Sequence, residues 1–311
     1  MGITLADCER LVPNLHRRED VMRFAVGFCI LAFSPVIFAG EPRIHRDLAY
    51  FEPKEQRRTL DVYTTTESKN QPIVFWIHGG GWQRGDKSDV AAKPWAFLDR
   101  GFVFVSTNYR FVPHVTMKQI SEDLAKAIGW THDHATGYGG DPNTIFVMGH
   151  SAGASLAALI CTDGSYLKAE GLSLTVIKGC VPVDGDAFDV PMQIKTESER
   201  GSTDTIRTFG DSVASQRDLS AVTHIARGRY IPPFLILHVA DPVPAARRTG
   251  CCFETDVQSQ RLAKALQDAG VQAKVHAVRR KTHATLNSDL GLSGDDATKE
   301  LFEFLGRVLQ K

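Results

Sequence analysis

Apolar residues in this chain fall in short runs bounded by glycine, proline and polar residues, and these runs alternate with segments of helical period. Ile73–Ile77, Phe102–Thr107, Ile145–Met148, Val176–Val183 and Phe234–Val239 are apolar enough for strands buried on both faces. Arg58 to Thr64 alternates apolar and polar side chains and predicts an early edge strand. Val271, Ala273, Val275 and Ala277 alternate in the same way and predict a strand near a sheet edge. Between the runs lie stripes at helical spacing. One is Ile120, Leu124, Ala127 and Ile128; another is Leu262, Ala265, Leu266 and Ala269, stopped by Gly270. The third is Leu301, Phe302, Leu305, Val308 and Leu309. Stripes of this kind are ordinary core-facing helix surfaces. Strand and helix in alternation predict βαβ units, hence a mostly parallel sheet flanked by helices.

The pattern lapses between Asp184 and Tyr230, a polar stretch with Gly201, Gly210 and Gly228. It falls where two central strands open at their carboxyl ends, so residues 186–230 are expected to form a small cap-like insertion. Phe188, Met192, Ile206 and Phe209 would then line an acyl or leaving-group wall.

The N-terminus reads differently. Met22-Arg23 precedes the apolar run Phe24–Phe33, broken by Ser34-Pro35, with a small-residue cut expected after Ala39. That is the form of a secretory signal, which makes residues 1–39 an extension and residues 40–311 the folded domain. The run is too short and interrupted for a membrane span. Export to the periplasm or beyond is the corresponding expectation, with cytoplasmic residence as the alternative and Met22 as an alternative start.

Lysine plus arginine and aspartate plus glutamate number 36 each, so the formal net charge is zero. Nothing here demands a nucleic-acid partner or an anionic membrane. Of the 6 cysteines, Cys8 and Cys29 would leave with the signal. Cys161 and Cys180 fall in apolar segments as core residues, and Cys251-Cys252 have no assignable pairing. No spacing matches a zinc site, so no metal or other cofactor is expected.

The chemistry gathers at the ends of the predicted strands. Gly149-His150-Ser151-Ala152-Gly153 follows the run Thr144–Met148 and precedes a small-residue helix. Strand, sharp turn and helix is the setting of a nucleophile elbow, with Ser151 at its tip. His78-Gly79-Gly80-Gly81-Trp82 follows another central strand. The backbone N–H groups of Gly80, Gly81 and Ala152 are placed to receive an oxyanion. Trp82 and His150 are expected at the substrate. A serine hydroxyl needs a base, and the base needs an orienting acid. His283, in the segment after the 271–278 strand, is read as the base in preference to His276, whose neighbours are Gln272 and Lys274. Asp241, two residues past the 234–239 strand, is read as the acid. Asp184 and Asp186 are the runners-up, and Asp256 is read as a helix N-cap.

These motifs, HGGGWQRGDK (78–87), NYRFVP (108–113), GGDPNTIFVMGHSAGASLAAL (139–159) and KTHATLNSDLG (281–291), resemble those of the α/β-hydrolase esterases. The branch they look like holds bacterial carboxylesterases and arylformamidase-like proteins, related to the hormone-sensitive-lipase-like esterases. The resemblance spans about residues 50 to 310. It implies the α/β-hydrolase fold and metal-free hydrolysis of small carboxylic esters through an acyl-enzyme. Arylformamidase or amidase action with the same triad is the alternative, and a non-catalytic binding protein on the same scaffold a third reading. His238-Val239-Ala240-Asp241-Pro242 departs from the H-G-x-x-D form of relatives, which puts Asp241 in doubt.

Overall fold

The apolar runs become strands of a single eight-stranded sheet, in the order β1-β2-β4-β3-β5-β6-β7-β8. The strands are β1 Pro42–Ala49, β2 Thr59–Thr65, β3 Gln71–Ile77, β4 Val103–Thr107, β5 Gly140–His150, β6 Ile177–Val183, β7 Phe234–Val239 and β8 Ala273–Val278. The β1–β2 and β2–β4 pairs are antiparallel, and all others are parallel. The computed structural model describes residues 40–199, 201–240 and 255–310. All lie in one compact unit, Val36–Lys311. The expected signal at 22–39, Asp241 and Cys251-Cys252 lie outside the described residues.

The sheet has two buried faces, which is why its strands lack polar alternation. Along β3, Ile73, Phe75 and Ile77 point into one core, while Val74 and Trp76 point into the other. In chain order the helices are α1 Lys93–Leu98, α2 Met117–His134, α3 Ala152–Thr162, α4 Gly164–Ala169, α5 Val190–Glu199, α6 Asp204–Phe209, α7 Val213–Asp218, α8 Thr255–Asp268, α9 His283–Ser288 and α10 Asp296–Leu309. Helices α2, α3 and α8 cover the first face, and α1, α9 and α10 the second. The expected α/β-hydrolase architecture is therefore present.

Two expectations about the edges change. Strand β1 forms the outer edge, and β2 is buried along its whole length. The sequence 42–49 hides β1 because only one side of it has a neighbour, so it mixes polar and apolar residues and most of them stay exposed. The insertion is also more ordered than its polar composition implies, since it holds α5, α6 and α7. Cys161 and Cys180 are buried free thiols, as expected of core residues.

Register decides what happens at the carboxyl ends. Ile77 pairs with Gly149, His150 with Val183, Val183 with Leu237 and Val239 with Val278. Strands β3, β5, β6, β7 and β8 thus end nearly level, and the residues after each of them emerge along one rim. The chain runs from β3 outward to β4 and returns across it to β5. A parallel sheet opens a crevice at such a reversal, and ligands bind there.

Candidate active site

Ser151 occupies the turn between β5 and α3 with φ 56° and ψ −123°. A side chain at positive φ is strained by about 1–3 kcal/mol, so the surroundings must impose it. They do so by close packing. A Cβ on Gly153 would lie 2.3 Å from the carbonyl oxygen of Ile77, so α3 can start against β3 only with glycine there. The Ser151 N–H donates to the Val183 carbonyl at 3.0 Å, tying the turn to the end of β6. The side chain that this geometry presents is half-buried.

The loop after β3 comes up beside it. A Cβ on Gly79 would meet the Ser151 Cβ at 3.1 Å, so the glycine loop and the serine are in van der Waals contact. Gly80 and Gly81 both take positive φ, 121° and 62°. Ala152 is the first residue of α3, where the backbone N–H groups have no intrahelical acceptor. The loop is braced from below. Lys87 donates to Asp61 at 2.6 Å, its backbone N–H donates to Asn108 Oδ1 at 2.7 Å, and the Tyr109 hydroxyl donates to the His78 carbonyl at 3.0 Å. Arg110 grips Asp123 through two bonds of 2.7 Å. The polar residues of the 78–87 and 108–113 motifs are therefore largely scaffolding.

His283 is the first residue of α9, behind a Thr282 capping box. Its Nδ1–H donates to Asp184 Oδ2 at 2.7 Å. This corrects the expected pairing, because the place foreseen for Asp241 is filled by Asp184, and Asp241 lies outside the described residues. Asp184 directly follows β6, whose last residue pairs with His150. Asp184 and Ser151 therefore leave adjacent strands at one level, whereas a residue after β7 starts one strand further away. The Val239 N–H donates to Asp184 Oδ1 at 2.9 Å and fixes the carboxylate from the other side. Burial by itself would raise this carboxyl. The hydrogen bond and charge of His283, with bonds from Val239 and Thr255, outweigh it and hold the group below the usual carboxylate range.

His150 supports His283. Its ring lies 4.4 Å from that of His283, and its Nε2–H donates to the His283 carbonyl at 3.0 Å. Burial first, and the neighbouring His283 second, push it down to about 3, so it stays neutral at working pH. His78 is likewise neutral, lowered by burial to about 4 and stacked on Tyr109 at 4.4 Å. His238 donates through Nδ1 to the Val239 carbonyl at 3.0 Å at the end of its strand. Asp256 sits inside the first turn of α8 rather than capping it.

His276, on β8, is half-buried and faces α10, 2.8 Å from Asp296 and 3.9 Å from Glu300. Its replacement by alanine is expected to leave kcat within about twofold and to cost less than about 1 kcal/mol, the scale of a surface ion pair. Steady-state rates and a melting curve check this.

The insertion meets the glycine loop at Trp82. Phe209 at the end of α6 meets Trp82 edge-on, with ring centroids 5.1 Å apart, and both side chains are buried. Phe188 does not join the expected wall, because it is fully buried in the core under the elbow, near Gly185. Trp82 and His150, expected at the substrate, are both buried against protein side chains. A cavity of about 620 Å³ opens beside Phe209, lined also by Gln83, Val112, Met117 and Leu219. Among the described residues no cluster of three or more histidine, cysteine or acidic side chains could hold a metal ion. None of their helices is long and apolar enough to cross a membrane.

The chain is similar to several known esterases. A probable carboxylic ester hydrolase, LipM, of Mycobacterium tuberculosis is 32% identical over 216 residues, 63% of this chain and 49% of that protein. Esterase LipQ of the same species is 24% identical over 83% of this chain and 61% of its own. The chain spans about half the length of most of the curated relatives it matches best. Among solved structures, Esterase B of Lactobacillus rhamnosis superposes with a TM-score of 0.66 at 18% identity, covering 88% of this chain and 86% of that one. A carbohydrate esterase from gut microbiota gives 0.66 at 19% identity, over 89% and 99%. At such identities these two speak for the fold alone. The BD-FAE family model matches residues 60–246, more than half of the sequence, and the chain belongs to that family.

Proposed function

We propose that this chain hydrolyses small carboxylic esters through an acyl-enzyme, with Ser151 as nucleophile, His283 as base and Asp184 as the orienting acid. One observation carries the reading: the 2.7 Å bond from His283 to Asp184, formed at the same sheet rim as the strained serine. A proton on Nδ1 leaves the Nε2 lone pair free to take the Ser151 proton as Oγ attacks the ester carbonyl. The carbonyl oxygen becomes an anion, and the N–H groups of Gly80, Gly81 and Ala152 are the donors for it, each worth roughly 3 kcal/mol in comparable sites. The imidazolium returns its proton to the leaving alcohol, and water repeats the sequence on the acyl-enzyme. The ester-hydrolase names of the curated relatives support this class of reaction. Export remains part of the proposal on the strength of residues 22–39 alone.

The test is covalent labelling. A fluorophosphonate is expected to modify Ser151 stoichiometrically, located by peptide mass, because only an activated serine reacts. Turnover of p-nitrophenyl acetate is expected to exceed that of N-formylkynurenine. Faster formamide turnover would move the assignment to an arylformamidase, and an unlabelled Ser151 with no turnover would leave a binding protein.

A further inference from the structure

Lys93 opens α1 and has no exposed surface at all. Its ammonium donates to the Asn287 carbonyl at 2.8 Å and to the Val90 carbonyl at 3.4 Å, and it lies 4.6 Å from the centre of the Trp76 ring. Among the described residues no ion pair neutralises it, and Asp89 acts on it only at a distance. A buried, unpaired ammonium is costly, so its neighbours carry the explanation. Two carbonyls and an aromatic face are the groups that replace its water. The nearer carbonyl belongs to the last turn of α9, where a cation is favoured. The first residue of that same helix is His283.

We propose that Lys93 is a positioning residue for the base: its ammonium clamps the carbonyl end of α9 against the sheet and holds His283 toward Ser151. The inference rests on His283 being the base. A six-residue helix is roughly 9 Å long, so the cation also sits within electrostatic reach of the imidazole. The same ammonium is among the groups that depress His150. The charged and titratable groups around it are Asp89 in the turn before α1, His150 at the end of β5, and His283 with its Asp184 partner. Strand β3 offers it only the Trp76 ring. Burial lowers Lys93 itself to about 7, so its charge is present in mild acid and fades above neutrality.

Lys93→Met fills the same volume without charge. In p-nitrophenyl acetate turnover this variant is expected to lose about tenfold in kcat with KM within twofold, as a loosened base should. Losing a nearby cation makes the imidazole easier to protonate, so the acid limb of kcat/KM is expected to rise by about half a pH unit. A limb that stays in place overturns the proposal whatever happens to kcat, since a merely structural lysine would not move it. Should the variant not fold, amide hydrogen exchange on the wild type decides. Protection across 283–288 is expected to fall between about pH 6 and 9, after correction for intrinsic rates, while α2 and α10 hold steady. Unchanged protection in that segment overturns the clamp. Fluorophosphonate labelling of wild-type Ser151 separates the two levels: failure to label removes the catalytic assignment, whereas normal labelling with an unmoved acid limb removes only the role of Lys93.

Discussion

Alanine in place of Ser151 is expected to lower kcat on p-nitrophenyl acetate by about a millionfold, the scale seen when a nucleophile of this kind is removed. The residual rate comes from the oxyanion donors and from binding, which the substitution leaves alone. Folding is expected to be unaffected, because alanine at φ 56° bears the strain that serine already bears. Glycine gives the sharper experiment. It has no Cβ to strain at that φ, so Ser151→Gly is expected to be equally inactive yet more stable by about 1 kcal/mol, a rise of a few degrees in Tm. A Ser151→Ala variant with wild-type turnover would remove the nucleophile assignment. A Ser151→Gly variant that melts lower than wild type would remove the claim that the elbow stores strain.

Asparagine at position 184 is expected to reduce kcat by about ten-thousandfold with little change in KM. The side chain keeps its size and its bond from the Val239 N–H, but its amide can present a donor to His283 Nδ1. That favours the tautomer protonated on Nε2, which cannot accept the serine proton. Asp241→Asn, in contrast, is expected to stay within about threefold of wild type. The opposite ranking in measured rates would return the acid to Asp241 and make the 2.7 Å contact incidental. Acid titration supplies a second readout. The Asp184 carboxyl lies below its ordinary range in the folded chain, so its contribution to stability is present above about pH 4 and is lost as the pH falls through the folded value. The Asn variant is expected to lose that part of the acid dependence of Tm.

The serine, the glycine loop and the histidine were legible as linear patterns, since each follows its own strand-like run within a few residues. The acid was not. Asp184, Asp186 and Asp241 all fall between nucleophile and base in chain order, and nothing local separates them. The signal that could have ranked them is strand adjacency: β6 neighbours β5 directly, and Asp184 follows β6 without a spacer. His150 was visible only as the residue before the serine. Its role under the His283 ring depends on α9 returning to the elbow from 133 residues away. Phe188 and Phe209 looked alike in a polar stretch, yet Phe188 packs under the elbow near Gly185 and Phe209 meets Trp82.

What the sequence determined by itself is the layered architecture, the elbow and the glycine loop, because these follow from period, from apolar runs and from the steric demands of tight turns, all of which act over a few neighbouring residues. What only the tertiary structure decided is which carboxylate meets His283, that β1 and not β2 closes the edge, and that a buried lysine stands at the far end of the base-bearing helix. Those outcomes depend on strand order and register, which bring together groups a hundred residues apart and leave no trace in local composition.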